Sequence, residues 1–183
     1  YDVNDLGAVE ASQNEPLEKE EEKPKDTFVV THTPVPSAVR AIYMTQCVVG
    51  TPSFREKLVK IADETEVNSI IIDIKDYTGG IGFIPHHDQS LKDKLSTRCY
   101  ASDMRAFIGY LHKKGIYVIG RITVFQDPLF ANANPHLAVQ KESDRSVWSD
   151  YKGIQFVDAG AKEMWEYIVD LSKESYAIGF SEK

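Results

Sequence analysis

From Val39 onward the chain alternates apolar runs with amphipathic stretches, three times over. Val39 to Gln46 predicts a first strand. Asn68 to Asp76, with the β-branched run Ile70-Ile71-Ile72, predicts a second, and Ile116 to Phe125 a third. The last two are apolar on both faces, the mark of parallel strands covered by helices. Between them lie patterns of helical period. A first helix starts at a Ser53 cap with Glu56 as capping-box partner and turns Phe54, Leu58, Ile61 and Ala62 inward. Ser102 caps a second, with Met104, Phe107, Ile108 and Leu111 inward and a stop at Gly115. The third spans Ala161 to Tyr176 with Met164, Trp165, Ile168 and Leu171 as its buried stripe, and Ile178-Gly179-Phe180 opens a fourth strand.

Strand, helix, strand, helix, strand, helix, strand demands parallel pairing through right-handed crossovers. A doubly wound sheet and a barrel both satisfy that order. The loops favour the barrel. Two long connections, Tyr77 to Tyr100 and Gln126 to Gly160, each follow a strand and precede a helix, which is where barrel active sites are built. Within the second, Gly153 to Val157 reads as a short extra strand. The turn after the first strand, Cys47 to Pro52, holds one glycine and lacks the glycine-rich phosphate loop of a nucleotide-binding sheet. Tyr77-Thr78-Gly79-Gly80-Ile81-Gly82-Phe83 is glycine-rich but opens no helix, so it reads as a tight turn or hairpin. The fold class expected is α/β: a partial (β/α)8 barrel of three β/α units and the start of strand four.

Composition changes the picture at the ends. Tyr1 to Ser37 carries nine Asp/Glu and three Lys, a net of −6 out of −7 for all 183 residues. It reads as an acidic, disordered tail and linker ahead of a domain over 38–183, because it has too little apolar surface to offset its ordering entropy. The near-neutral remainder has no basic patch, which argues against nucleic acid as a partner. No apolar run reaches the roughly 18 residues of a membrane span. Cys47 and Cys99 are too few for a disulfide scaffold and read as two free, partly buried thiols, one bridge being the alternative.

The candidate chemistry sits at the strand ends. In Ile72-Asp73-Ile74-Lys75-Asp76, alternation puts Asp73 and Lys75 on one face. Arg121 and Thr123 share a face of the third strand. Adjacent strands lie about 4.8 Å apart, so Asp73 or Asp76 is within reach of Arg121 or Lys75. Two roles compete: a buried ion pair orienting the barrel interior, or a cleft in which Arg121 keeps a carboxylate ionised. Asp76 stands where a barrel enzyme places a catalytic or substrate-binding carboxylate. Tyr43 is a core-lining or cleft-wall residue, and Trp148 is either a loop anchor or a platform for a sugar ring. His86-His87-Asp88 resembles a metal cluster, but adjacent loop histidines point apart and no second cluster supports them; no metal and no cofactor are expected.

These stretches together resemble a known family. Arg40-Ala41-Ile42-Tyr43, Gly50-Thr51-Pro52, Ile72-Asp73-Ile74-Lys75-Asp76 and the run from Gly115 to Ile122 look like a glycoside hydrolase family of bacterial envelope proteins, long filed as a domain of unknown function and similar to α-amylase-type barrels. Asp127-Pro128-Leu129, Trp148-Ser149-Asp150, Lys152-Gly153 and Gly179-Phe180 extend the likeness. The resemblance implies a TIM barrel acting on a polysaccharide or cell-wall glycan in an extracellular or envelope setting. It places Asp73, Lys75, Asp76 and Arg121 in or beside the cleft; the groups expected to be catalytic are Asp73, Asp76 and Arg121, and those expected to bind substrate are Tyr43, Lys75, Trp148 and Asp150. Family members continue past Gly-Phe with an acidic residue and a strand carrying Asp-Tyr-Val-Arg; Ser181-Glu182-Lys183 stands here instead. Glycoside hydrolysis takes two carboxyl groups about 5–10 Å apart and a full barrel about 250 residues, so the 183-residue chain is expected to be a truncated, inactive piece. A non-catalytic carbohydrate-binding barrel is the alternative; a sugar-phosphate enzyme would need a phosphate site after strands seven and eight.

Overall fold

The computed structural model describes residues 29–181. The elements run β1 (Ala41–Met44), α1 (Gln46–Val49), α2 (Pro52–Glu64), β2 (Ser69–Lys75), α3 (Met104–Lys113), β3 (Tyr117–Ile122), α4 (Pro128–Ala133) and α5 (Lys162–Ala177). The three strands form one parallel sheet in the order β1-β2-β3. Ala41 pairs with Ser69, Ser69 with Tyr117, and Asp73 with Arg121. Parallel strands joined by helices are the β/α units of a barrel, so the α/β partial-barrel reading holds.

One side of the sheet is sealed. Met44, Ile70, Ile72, Ile74 and Val118 are fully buried, together with Ile108, Leu111, Met164 and Leu171 from the helices. The alternate positions Tyr43, Ile71, Ile119 and Arg121 are only partly covered or exposed. Period-two alternation therefore separates a helix-packed face from an open one.

Several local expectations shift. The first helix begins at Pro52 with Thr51 before it, not at Ser53, because a proline with its fixed φ suits the first helical position. Its buried face is centred on Leu58, Val59 and Ala62. Phe54 and Ile61, seven residues apart, lie together on the exposed flank. In α3 the cap position falls on Asp103 rather than Ser102, and the Asp103 carboxylate goes to Arg55 at 2.8 Å instead of capping the helix. In α5 Trp165 is exposed and Tyr167 takes its place in the buried stripe. The Trp165 Nε1–H donates to the Ala159 carbonyl at 2.8 Å.

The two long loops are built, not slack. After β2 the glycine-rich stretch doubles back, with Ile81 bridging antiparallel to Lys75 and Gly82 N–H donating to the Ile74 carbonyl at 2.8 Å. That is the tight turn the glycines predict. The loop after β3 folds as a hairpin bridged at Gln140–Val147 and Ser149–Gln155, and Phe156 and Val157 of the expected extra strand also bridge. Beyond α5, Gly179 takes φ +115° and Phe180 is fully buried. Ser181 N–H then donates to the Val118 carbonyl at 3.0 Å, extending the chain alongside β3.

The expectation of two free thiols is corrected. Cys47 and Cys99 form a disulfide, their Cα atoms 4.8 Å apart. The two residues are 52 positions apart, and sequence alone gives no measure of their distance. Most of the acidic tail lies outside the described residues. Within the part that is described, Thr31 Oγ1 bonds His112 Nδ1 at 2.9 Å, His32 stacks on Tyr176, and Thr33 Oγ1 donates to the Ile116 carbonyl.

Candidate functional site

The C-terminal ends of the three strands enclose a cleft of about 320 Å³. Its chemistry comes from Tyr43 on β1, Asp73 and Asp76 at the end of β2, Arg121 on β3 and Arg98 from the loop after β2. The Arg121 guanidinium donates to Asp73 Oδ1 at 2.8 Å, and the Tyr43 hydroxyl donates to Asp73 Oδ2. Asp73 thus has both oxygens engaged and is 3% exposed, while the Arg121 side chain stays half open to the cleft. The hydrogen bond that Arg121 donates to Asp73 raises the Arg121 pKa above its ordinary value. Burial, followed by the bond and charge of Asp73, pushes the Tyr43 phenol up to about 12. The Arg121 guanidinium also lies 5.9 Å over the Tyr43 ring, so the three side chains form one fixed unit.

Asp76 is held differently. Its Oδ1 accepts from the Thr78 backbone N–H at 2.9 Å and from the Thr78 hydroxyl, an Asx turn that orients the carboxylate at the cleft wall. Among the described residues it forms no ion pair within bonding distance, unlike Asp73.

Lys75 goes elsewhere. A register shift between Asp73 and Lys75 breaks the shared face that strict alternation predicts. Lys75 is fully buried, with Nζ 3.1 Å from Asp127 Oδ2 and donating to the Thr123 carbonyl. Burial lowers its pKa, and Asp127 opposes that shift. Asp127 also caps α4, accepting from Phe130 N–H at 2.9 Å. Gly79 (φ +88°) closes the pair from above: a Cβ there would sit 2.1 Å from Asp127 Oδ1. The structure thus places Lys75 in a sealed ion pair, out of reach of a ligand.

Trp148 and Asp150 do not line the cleft. Trp148 tilts against Phe156 and borders an open groove of about 810 Å³ with Val139 to Ser143. Asp150 accepts from the backbone N–H groups of Lys152 and Ile154, both at 2.8 Å, and so shapes its own hairpin. At His86-His87-Asp88, the backbone N–H groups of all three residues converge on the buried Glu174 carboxylate. Among the described residues, no group of three or more His, Cys, Asp or Glu is arranged to hold a metal.

Sequence reasoning missed three groups. Asp127 was signalled by its place before Pro128 and by the need of a buried lysine for a counter-ion. Glu174 was signalled by its spacing from Tyr167 and Leu171. For Arg98, nothing in the sequence points to the cleft.

Residues 41–183 match the family described as "Putative glycosyl hydrolase domain". The chain belongs to this family. No curated protein matches this glycosyl hydrolase domain. It is similar to the crystal structure of a hypothetical protein from Ruminiclostridium thermocellum ATCC 27405, with 28% identity, a TM-score of 0.68, and coverage of 76% of this chain and 72% of that one. A glycoside hydrolase family 20 β-N-acetylglucosaminidase aligns at 14% identity and TM-score 0.56 over 78% of this chain and 34% of its own. The α-galactosidase from Lactobacillus brevis aligns at 12% identity and TM-score 0.50 over 77% and 19%. The domain therefore spans about a third or less of these two enzymes, whose likeness shows the TIM-barrel fold. Among the described residues, no helix is long and apolar enough to cross a membrane.

Proposed function

We propose that this glycosyl hydrolase domain binds a polysaccharide or cell-wall glycan in the cleft at the ends of β1, β2 and β3. The observation that carries this reading is the convergence of Tyr43, Asp73, Asp76 and Arg121 on one hollow at the end of a parallel sheet where barrel enzymes place their chemistry. The Tyr43–Asp73–Arg121 unit presents a fixed array of donors to sugar hydroxyls, and the Asp76 carboxylate faces the ligand as base or acid. Asp73, with both oxygens engaged, positions Arg121 and Tyr43.

Hydrolysis takes two carboxyl groups flanking one bond. The described cleft offers one that is open, Asp76, and we place the second on a further strand beside β3. On this reading the 183 residues by themselves bind glycan without turning it over, and Trp148 serves as an outlying platform for a sugar ring. On this reading the acidic stretch ahead of Thr31 links the domain to an export signal or anchor, Thr31 to Thr33 being docked on the domain itself. The Cys47–Cys99 disulfide supports an oxidising, extracytoplasmic setting such as the envelope.

A glycan array probed with the 183-residue chain tests the reading. Binding by the wild-type chain that falls at least about tenfold in Asp76→Asn is the expected result, a charged hydrogen-bond acceptor being lost from a ligand contact. Unchanged binding in that variant removes Asp76 from the site. A second reading, a carbohydrate-binding barrel with no catalysis in any form, is favoured by the engagement of both Asp73 oxygens. Release of reducing ends from a bound glycan by a full barrel carrying this domain decides against it.

A further inference from the structure

The loop after β2 ends on an anchored frame that carries an unpartnered cation. Cys99 is bonded to Cys47 of α1, which ties the loop to the segment following β1. The next residue, Tyr100, brings its carbonyl against Gly50 so closely that a Cβ at Gly50 would lie 2.7 Å from that oxygen. Glycine is what permits the approach. Arg98 and Tyr100, on either side of Cys99, are both exposed. The Arg98 backbone N–H donates to Ser96 Oγ at 3.4 Å, but among the described residues its guanidinium has no hydrogen-bond or ion-pair partner. Arg55 and Arg121, by contrast, each hold a carboxylate at 2.8 Å.

Arg98 borders two hollows. One is the cleft with Asp76 and Arg121. The other, about 220 Å³, is formed with Cys47, Gly50, Thr51, Cys99 and Tyr100. The disulfide and Arg98 line both, so the two hollows are immediate neighbours.

We propose that the second hollow is an additional sugar subsite that takes a carboxylate-bearing unit, with Arg98 gripping the carboxylate and the Tyr100 ring supporting the sugar face. The proposal rests on the reading of the adjacent cleft as a glycan site and names the class of glycan. A guanidinium presents paired N–H donors that match a carboxylate, and one without an internal partner gives up no ion pair to bind it. A backbone held by a disulfide lowers the ordering needed on binding. The Asp76 carboxylate repels an acidic unit from the first hollow, which directs it towards Arg98.

The test titrates the 183-residue chain calorimetrically with tetragalacturonate and with its methyl ester, two ligands that differ in carboxylate charge. Wild type is expected to bind the acid at least about tenfold tighter than the ester, as a charge-assisted hydrogen bond predicts. Arg98→Gln should bring the two within about twofold by weakening the acid far more than the ester, and Arg98→Lys should restore part of the preference. Tyr100→Ala should weaken both ligands, since stacking is indifferent to the carboxylate. Equal affinity of wild type for acid and ester, or a preference that survives Arg98→Gln, overturns the subsite while leaving the glycan reading of the cleft intact. Failure to bind any member of a glycan array, acidic or neutral, removes the glycan reading and this proposal together.

Discussion

Asp73 and Lys75 are two positions apart on β2 and have opposite fates. Asp73 meets Arg121 at the edge of a cleft, and half of the Arg121 side chain remains in solvent. Lys75 meets Asp127 in a site where the two side chains are 0% and 1% exposed. Both are cross-connections from the same strand to β3 or the loop after it. What separates them is water. A pair that keeps one partner solvated can change partners and so can serve a ligand. A pair sealed under Gly79 cannot, and its removal leaves a bare charge in the interior. An ion pair at a strand end is therefore not by itself a sign of an active site; the exposure of its cation is the telling quantity.

Removing one acid from the sealed pair and one base from the open one separates the two roles. Asp127→Asn should destabilise the fold by about 3–5 kcal/mol, because Lys75 is left buried without its counter-ion. Arg121→Gln should cost less, about 1–3 kcal/mol, because the buried Asp73 carboxylate keeps the Tyr43 hydroxyl as a donor, while abolishing glycan binding. Urea denaturation of both variants measures the two costs, and equal losses of stability would show that the two pairs are equivalent.

The open site depends on covalent closure where the sealed one depends on buried charge. The disulfide joins residues 52 positions apart. Replacing both Cys47 and Cys99 by Ser should cost about 2–4 kcal/mol. It should also raise hydrogen exchange at Arg98 to Ala101 while leaving the amides around Asp127 protected. Loss of protection at both places would show that the two regions are one cooperative unit.

The smallest effect concerns the opposite end of the sheet, where Thr31 and His32 lie against His112. Burial, and then the nearby His32, lowers the His112 pKa from the ordinary 6.5. Among the described residues its Nε2 is buried without a hydrogen-bond partner, so the neutral ring is the form that fits. A histidine pKa depressed in the folded state contributes stability that is present above 6.5 and lost as pH falls through the lower folded value. Proteolysis near Thr31 should therefore speed up on acidification from pH 7 to 5, and His112→Gln should remove that dependence.

Much of this was legible in the chain. The β-branched runs at Ile70 and Ile116, the alternation with helices and the loop lengths specify parallel β/α units, because period and turn chemistry are local properties. They also put Asp73, Asp76 and Arg121 at one end of the sheet, since parallel strands share that end. What stayed hidden lies on segments far apart in the chain. Arg98 belongs to a loop whose course depends on Cys47, and Asp127 reaches Lys75 only through a register shift that no spacing announces. Strict alternation put Lys75 beside Asp73. The helical period alone could not rank Trp165 against Tyr167, because which side of an amphipathic helix turns inward is settled by what it packs on. The sequence by itself determined which residues would stand at the strand ends. Only the tertiary structure decided which of them water can reach, because burial is the work of segments distant in sequence.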